Sequence, residues 1–331
     1  MSGFPILKNT KVLITGGAGF IGSNLIETLL SQNNQIVCLD NFFTGKKENI
    51  IPFVNLPSFH FIEGDIRNIN CCKQAVKGVT YVFHQAAIGS VPRSIKDPIT
   101  TNSVNADGFL NMLIASRDEK VKRFIYASSS SVYGDHPALP KKEESVGKPL
   151  SPYGITKSIN EMYASVFAKL YNMEIIGLRY FNVFGKRQDP NGEYAAAIPK
   201  FISLLIQKQS PEIFGDGNQS RDFTYIDNVI QINQLAALST LPESLNNVYN
   251  VAFGQKTDLN ELIQILCQLL SKYDPLIKNI IPVYSAERSG DIKHSVASID
   301  KAKNLLGYDP KFSLQQGLEI AIDWYWKTLS K

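Results

Sequence analysis

The run KVLIT, Lys11–Thr15, passes directly into GGAGFIG, and about 20 residues later a second apolar run, QIVCLD, ends in Asp40. A short, continuously apolar run followed by a glycine-rich turn and a helical pattern predicts strand, turn, crossover helix and parallel strand in that order. The turn carries GxGxxG at Gly17, Gly19 and Gly22, and GxxGxxG at Gly16, Gly19 and Gly22. Glycines there let the backbone approach a pyrophosphate at a helix N-terminus, where unpaired amides and the helix dipole favour negative charge. Asp40 at the end of the second strand is placed to accept hydrogen bonds from adenosine ribose hydroxyls and to repel a 2′-phosphate, which favours NAD over NADP.

The same alternation continues through FHFIEGD, a helix near Cys71 to Val76, YVFHQAA, a helix from about Ile99 to Arg117, FIYASS and EIIGLRYFNVFG. Repeated strand–helix units with uniformly apolar strands predict a parallel sheet covered on both faces. The fold class is therefore α/β: a Rossmann-type doubly wound sheet over residues 1–181, followed by a smaller C-terminal α/β lobe over 182–331. NVYNVA, near 247–252, reads as a strand returning to the first sheet. In such sheets ligands lie beyond the carboxyl ends of the strands. Those ends read Asp65 and Ile66, Gln85 to Ala87, and Ser128 to Ser131.

SPYGITK sets Tyr153 and Lys157 four residues apart, on one helix face about 5 to 6 Å from each other at Cβ. Ser151 suits the N-cap and Pro152 the first helical position, with Ile155, Ile159, Met162, Val166 and Leu170 expected to form the buried stripe. With a nicotinamide over the strand ends, Ser129, Tyr153 and Lys157 converge on removing a proton from an alcohol as its hydride leaves. A phenol ordinarily titrates near ~10. The Lys157 ammonium and a positive nicotinamide are expected to draw that value toward neutrality, where a general base works best. Lys157 would also bond the nicotinamide ribose, and Ser129 the reacting hydroxyl.

The net charge of +4, with 34 Lys and Arg against 30 Asp and Glu spread through the 331 residues, gives no case for a nucleic-acid partner. The first residues lack the pattern of a signal peptide and no apolar run reaches membrane-spanning length, so a cytoplasmic protein is expected. Cys38, Cys71, Cys72 and Cys267 have neither CxxC spacing nor histidines at metal-ligand intervals, so no metal is expected.

Through GGAGFIGSNL, LDNFFTG, EGDIR, HQAAIGSVPRS, SSSSVYGD, SPYGITK, LRYFNVFGKRQDPNG, RDFTYIDN and RSGDIKHS, the chain resembles the extended short-chain dehydrogenase/reductases over nearly its whole length. Among these it is most similar to UDP-hexose 4-epimerases, on the bacterial branch that handles N-acetylated sugars. The resemblance implies a tightly held NAD that takes hydride from C4 of the sugar, a 4-keto intermediate that turns over, and return of the hydride to its other face. It implies Tyr153 as base, Lys157 as its electrostatic partner and Ser129 as the hydroxyl-binding serine. It assigns NAD to Gly16, Gly19, Phe20, Ile21, Gly22, Asp40, Asn41, Thr44, Gly45, Asp65, Ile66, Gln85, Ala87, Asn105 and Val183, besides Tyr153 and Lys157. For the UDP-sugar it points to Asn182 on the diphosphate, Ala196 and Ala197 beside the uracil-ribose, Arg221 and Arg288 on phosphate, and Asp291 on the uridine ribose. Guanidinium groups suit a diphosphate because they can bond it in two places.

Two departures separate the relatives. Related 4,6-dehydratases carry acidic residues just after the catalytic Ser or Thr, and decarboxylases a Glu before VYG. Here Ser129 to Tyr133 contains no carboxylate. Ser295 in GDIKHS stands where galactose-restricted epimerases have a tyrosine, leaving room for a 2-acetamido group, with Gly89, Ser90, Ser130 and Gln188 able to line the pocket. The leading reading is interconversion of UDP-GlcNAc and UDP-GalNAc for surface polysaccharide precursors. UDP-hexuronic acids (UDP-GlcA or UDP-GlcNAcA) are the alternative substrates; a dehydratase, a net oxidoreductase and a non-catalytic NAD-binding regulator are the alternative classes. The family's usual homodimer, a four-helix bundle, would use about Ile99 to Arg117 and Ser151 to Tyr171 of each subunit.

Overall fold

The computed structural model of the chain describes residues 4–190, 196–287 and 293–330. Six strands, β1 (Lys11–Thr15), β2 (Gln35–Asp40), β3 (Phe59–Glu63), β4 (Tyr81–His84), β5 (Arg123–Ser129) and β6 (Ile175–Tyr180), join a seventh, Asn247–Val251, in one sheet. Every pairing is parallel, in the order β3, β2, β1, β4, β5, β6, Asn247–Val251. The chain thus winds outward from β1 to β3, then crosses back to β4 beside β1, and the segment near 247–252 does return to the sheet.

Alternate side chains of each strand enter two separate cores. Val12, Ile14, Ile36, Cys38, Tyr81 and Phe83 face one way, with the helix α1 (Phe20–Ser31) and the helix Ile226–Leu238 packed over them. Leu13, Val37, Leu39, Val82, Phe124 and Tyr126 face the other way, under α2 (Ile69–Ala75), α5 (Gly108–Asp118) and α6 (Pro152–Tyr171). Burial on both faces is why these strands are apolar throughout instead of alternating. The expected helix from Ile99 to Arg117 is one helical run whose middle, Ser103–Asp107, is a π turn. The run opens as α4 (Pro98–Asn102), and one short helix, α3 (Val91–Lys96), precedes it.

Helix α6 begins as the sequence predicts: the Ser151 side chain accepts from the Gly154 amide, and Pro152 opens the helix. Its stripe of large apolar residues, however, does not face the core. Met162 is 61% and Leu170 69% exposed, and Ile155 and Val166 lie beside them on the outside. The face against the sheet carries Thr156, Lys157, Asn160, Ala164, Phe167 and Ala168. Small and polar residues there let α6 approach β5 and bury its lysine, leaving the larger apolar stripe uncovered within one chain.

Beyond Asn182 the elements are shorter. Val183–Phe184 pairs with Thr224–Tyr225, Ser220–Arg221 with Thr257–Asp258, and Glu212–Phe214 with Val283–Ser285. The helices Ala197–Ile206, Leu259–Leu270 and Leu314–Leu329 pack around them. No helix among the described residues is long and apolar enough to cross a membrane.

Candidate active site

The reversal of strand order between β1 and β4 opens a crevice at their carboxyl ends. The backbone knits it shut from below: the Gly16 amide donates to the Leu39 carbonyl, and the Gln85 amide to that of Thr15. Gly16 has a φ of +68°, and a Cβ there would meet Ala86 N at 2.7 Å. At Gly22 a Cβ would lie 2.2 Å from the Gly16 carbonyl oxygen. Helix α1 begins after Gly19 with no side-chain cap, so its first amides point into the crevice without a partner from the helix itself.

The crevice is a cavity of about 620 Å³, and Gly16, Gly19, Phe20, Ile21 and Gly22 form its floor. Asp40, Asn41, Thr44, Asp65 and Ile66 line one end, and Gln85, Ala87 and Gly89 the other. These residues fit a dinucleotide: an uncapped helix N-terminus for the pyrophosphate, and a carboxylate at the second strand for a ribose. Asp40 is buried, which pushes its carboxyl up, while the Phe42 and Ala18 amides donate to its two oxygens at 2.8 and 2.9 Å. The Arg67 guanidinium holds Asp65 below its ordinary range, and the Asn41 amide also donates to it.

Gly45, Asn105, Val183, Tyr153 and Lys157, all predicted cofactor residues, stand outside this lining. Gly45 packs against Ala18, where a Cβ would come within 2.8 Å. The Asn105 side chain is consumed in bracing the chain, accepting from the Ile88 amide at 2.7 Å and donating to the Ile88 carbonyl and Thr156. Val183 lines a second cavity, of about 320 Å³, together with Asn182, Gln188, Ala196, Ala197 and Arg221. Arg221 Nη1 donates to the Ser220 carbonyl at 3.0 Å, and Asn182 donates to the carbonyl of Asp222. Ser90 caps α3 by accepting from the Arg93 amide. Ser130 lies in the tight turn after β5, and the Ser295 amide donates to the Ser220 carbonyl. Arg288 and Asp291 lie outside the described residues.

The three residues expected to carry chemistry line neither cavity and meet where the carboxyl end of β5 faces the start of α6. Ser129 ends β5, and its hydroxyl, which accepts from the Ser131 amide at 3.2 Å, lies close enough to the Tyr153 phenol to pull its pKa down. The Tyr153 amide is anchored to Ser94 Oγ at 3.1 Å, a contact that no local motif signals. Lys157 Nζ donates to the Ala127 carbonyl at 2.8 Å and lies 5.9 Å from the centre of the Tyr153 ring. The expected drop in the Tyr153 pKa is not what the chain produces by itself. Burial pushes the phenol up, with only the Ser129 hydroxyl pulling against it. The reason is desolvation, which disfavours charge on either partner and drags Lys157 down to about 8. A further positive charge is needed to bring the phenol toward neutrality, and a bound oxidised nicotinamide is one.

Sequence reading missed two groups here. His84 is buried, bonded through Nδ1 to Thr15 Oγ1 at 2.9 Å and held neutral, its pKa pulled to about 3 by burial and by Lys157. Phe214, Phe223 and Lys200 also line the second cavity. Their sequence context, short strands and a helix in a loosely ordered half, carries no recognisable spacing.

Comparison with known proteins agrees with this geometry. Residues 12–252 match the NAD dependent epimerase/dehydratase family, and the chain belongs to it. A putative UDP-glucose 4-epimerase of Methanocaldococcus jannaschii is 36% identical over 315 residues, 95% of this chain and 97% of that protein. Among solved structures, a UDP-N-acetylglucosamine 4-epimerase from Methanobrevibacter ruminantium, in complex with UDP-N-acetylmuramic acid, superposes with a TM-score of 0.90. It shares 38% identity over 97% of this chain and 100% of its own. A UDP-glucuronic acid 4-epimerase from Bacillus cereus, in complex with UDP-glucuronic acid and NAD, superposes with a TM-score of 0.87. It shares 33% identity over 96% of this chain and 99% of its own.

Proposed function

We propose that this protein is an NAD-dependent 4-epimerase of UDP-hexoses that interconverts UDP-GlcNAc and UDP-GalNAc. The observation that carries the reaction is the placing of the Ser129 hydroxyl beside the Tyr153 phenol, with Lys157 one turn on, at the carboxyl end of β5. The resemblance to proteins named as UDP-sugar 4-epimerases supports it. For the sugar, the small side chain of Ser295, where galactose-restricted epimerases have a tyrosine, favours a bulky 2-substituent.

NAD, held in the larger cavity by Gly16, Gly19, Gly22, Asp40 and Asp65, would supply the positive ring that this chain's side chains cannot and the acceptor that takes hydride from C4 and gives it back to the other face of the keto carbon. Ser129 orients the sugar's 4-hydroxyl, and the Tyr153 phenolate oxygen takes its proton. Lys157, held by the Ala127 carbonyl, would add its charge to that of the nicotinamide in lowering the phenol. A 4-keto sugar turns over in the site, and Tyr153 returns the proton to the oxygen on the other face. With hydride given back in each cycle, the bound cofactor would be left unchanged. Asn182 and Arg221, in the smaller cavity, hold the diphosphate, and Ala196 and Ala197 flank the uracil-ribose. Residues 1–181 with the returning strand make the NAD-binding unit, and 182–331 the UDP-sugar lobe.

The uncovered stripe of α6, with Ile95 and Ile99 of the neighbouring helices, suits a homodimer through paired helices. The expected setting is the cytoplasm, supplying surface polysaccharide precursors. The test is incubation of purified protein, without added cofactor, with UDP-GlcNAc, UDP-Glc, UDP-GlcA and UDP-GlcNAcA, followed by chromatography of the products. UDP-GalNAc without released NADH is expected from the first. Turnover of the uronic acids alone would replace the substrate, and a dehydrated product would replace the reaction.

A further inference from the structure

We infer that Glu161, two turns beyond the base on α6, is a positioning residue that locks Tyr153 and Lys157 against Ser129 and holds Lys157 as an ammonium. Tyr153, Lys157 and Glu161 are spaced four apart, so they follow one another along a single helix face. The Glu161 carboxylate faces inward to the sheet. Its Oε1 accepts from Ser128 Oγ at 2.5 Å and from Arg179 Nε at 2.9 Å, and its Oε2 from Arg179 Nη2 at 2.8 Å. The Arg179 side chain is 5% exposed and that of Glu161 15%.

Each of these bonds constrains the catalytic set. Ser128 immediately precedes Ser129, so its bond to Glu161 sets how far the strand end stands from the helix that carries Tyr153. Arg179 lies on β6 and also donates to the Tyr133 hydroxyl, which donates in turn to Asn250 on the returning strand. Three adjacent strands and α6 are therefore fastened around one carboxylate. A buried ion pair adds little net stability compared with an apolar replacement of equal size. Its effect here is to fix distances.

The carboxylate also acts through its charge. The ionisable groups around Lys157 are Tyr153 and Glu161 on its own helix, His84 on β4, Tyr126 on β5 and Arg179 on β6. Burial keeps His84 neutral and Tyr126 protonated. Burial likewise pulls Lys157 down, and Glu161 is the charge that opposes this. Without it the ammonium would lose its proton at lower pH, and the phenolate its nearest cation.

The kinetic arm of the test rests on the epimerase reading; the spectroscopic arm does not. In the full chain labelled with carbon-13 lysine, the Cε resonance of Lys157 is assigned by its loss in Lys157→Gln and followed against pH. Its midpoint is expected near about 8. In Glu161→Gln the midpoint moves down by about one unit or more, and the alkaline limb of kcat moves with it. In Glu161→Asp the charge remains but the reach to Ser128 is shortened, so the midpoint stays while kcat falls about tenfold at unchanged KM. Ser128→Ala lowers kcat about threefold with no shift in the limb. A midpoint unmoved in Glu161→Gln, with only melting temperature affected, overturns the charge role. Should that variant not fold, full kcat in both Glu161→Asp and Ser128→Ala overturns the positioning role. Wild-type protein inactive on every UDP-sugar refutes the reaction reading, while the lysine titration still decides the role of Glu161 in holding the ammonium.

Discussion

Replacing Lys157 with Gln removes the one cation that acts on Tyr153 from its own helix while keeping a donor near the Ala127 carbonyl. Taking the Tyr153 ring centre as the site of the phenolate charge, the separation is 5.9 Å. At an effective dielectric of about 20, an ammonium at that distance stabilises the phenolate by about 2.8 kcal/mol. That equals about two pKa units, or about a hundredfold in phenolate at fixed pH. The variant, assayed with NAD saturating and its NAD content measured by absorbance, should therefore lose about a hundredfold in kcat at pH 7. Because burial brings the lysine itself down to about 8, raising the pH past that value discharges it in the wild type. The ratio of wild-type to variant kcat should then shrink as pH climbs from 7 to about 9.5. A ratio below about threefold at pH 7, or one that does not change with pH, would refute an electrostatic role for Lys157.

Gly22→Ala places a methyl 2.2 Å from the Gly16 carbonyl oxygen, both on backbone that cannot swing aside. It should come through purification without NAD and melt at a lower temperature, as absorbance and calorimetry would report. Met162→Glu with Leu170→Glu puts two charges on the uncovered face of α6, and sedimentation should show a 36.8 kDa monomer in place of the proposed dimer. Asp222 is fully buried and burial raises it to about 7, although the Ala297, Phe253 and Gly254 amides pull against this. A folded value above the unfolded one means its contribution is complete below pH ~4 and is lost as pH rises to about 7. The loss is at most about 4 kcal/mol. Melting temperature between pH 5 and 8 should thus fall more steeply in wild type than in Asp222→Asn, and parallel curves would remove Asp222 from the explanation.

The sheet was legible because strands buried on both faces must be apolar throughout, and Gly16, Gly19 and Gly22 mark where the chain turns into its first helix. The start of α6 was legible in Ser151 and Pro152, whose roles are local. The direction of its stripe was not, since periodicity identifies a face but not what covers it. The core accepted Ala164 and Ala168, and Met162 and Leu170 were left outside. The state of Tyr153 escaped for a different reason. Neighbouring charge can be read from spacing, but desolvation depends on how deeply the fold closes over both partners. Asn105 reads as a polar residue near a cofactor, yet Ile88, far from it in sequence, takes its hydrogen bonds. The Glu161–Arg179 pair joins residues on different elements, and Ser128 connects to it only once β5 and α6 are packed.

In the proposed reaction a hydride leaves C4 and comes back to the same carbon, with Tyr153 moving only the hydroxyl proton. UDP-GlcNAc carrying deuterium at C4 tests it most directly, with the product analysed by mass spectrometry and proton NMR. Full retention of deuterium at C4 of UDP-GalNAc, with no label in solvent and turnover abolished in Tyr153→Phe, is the predicted result. Loss of the deuterium to water, or undiminished turnover in the phenylalanine variant, would contradict it.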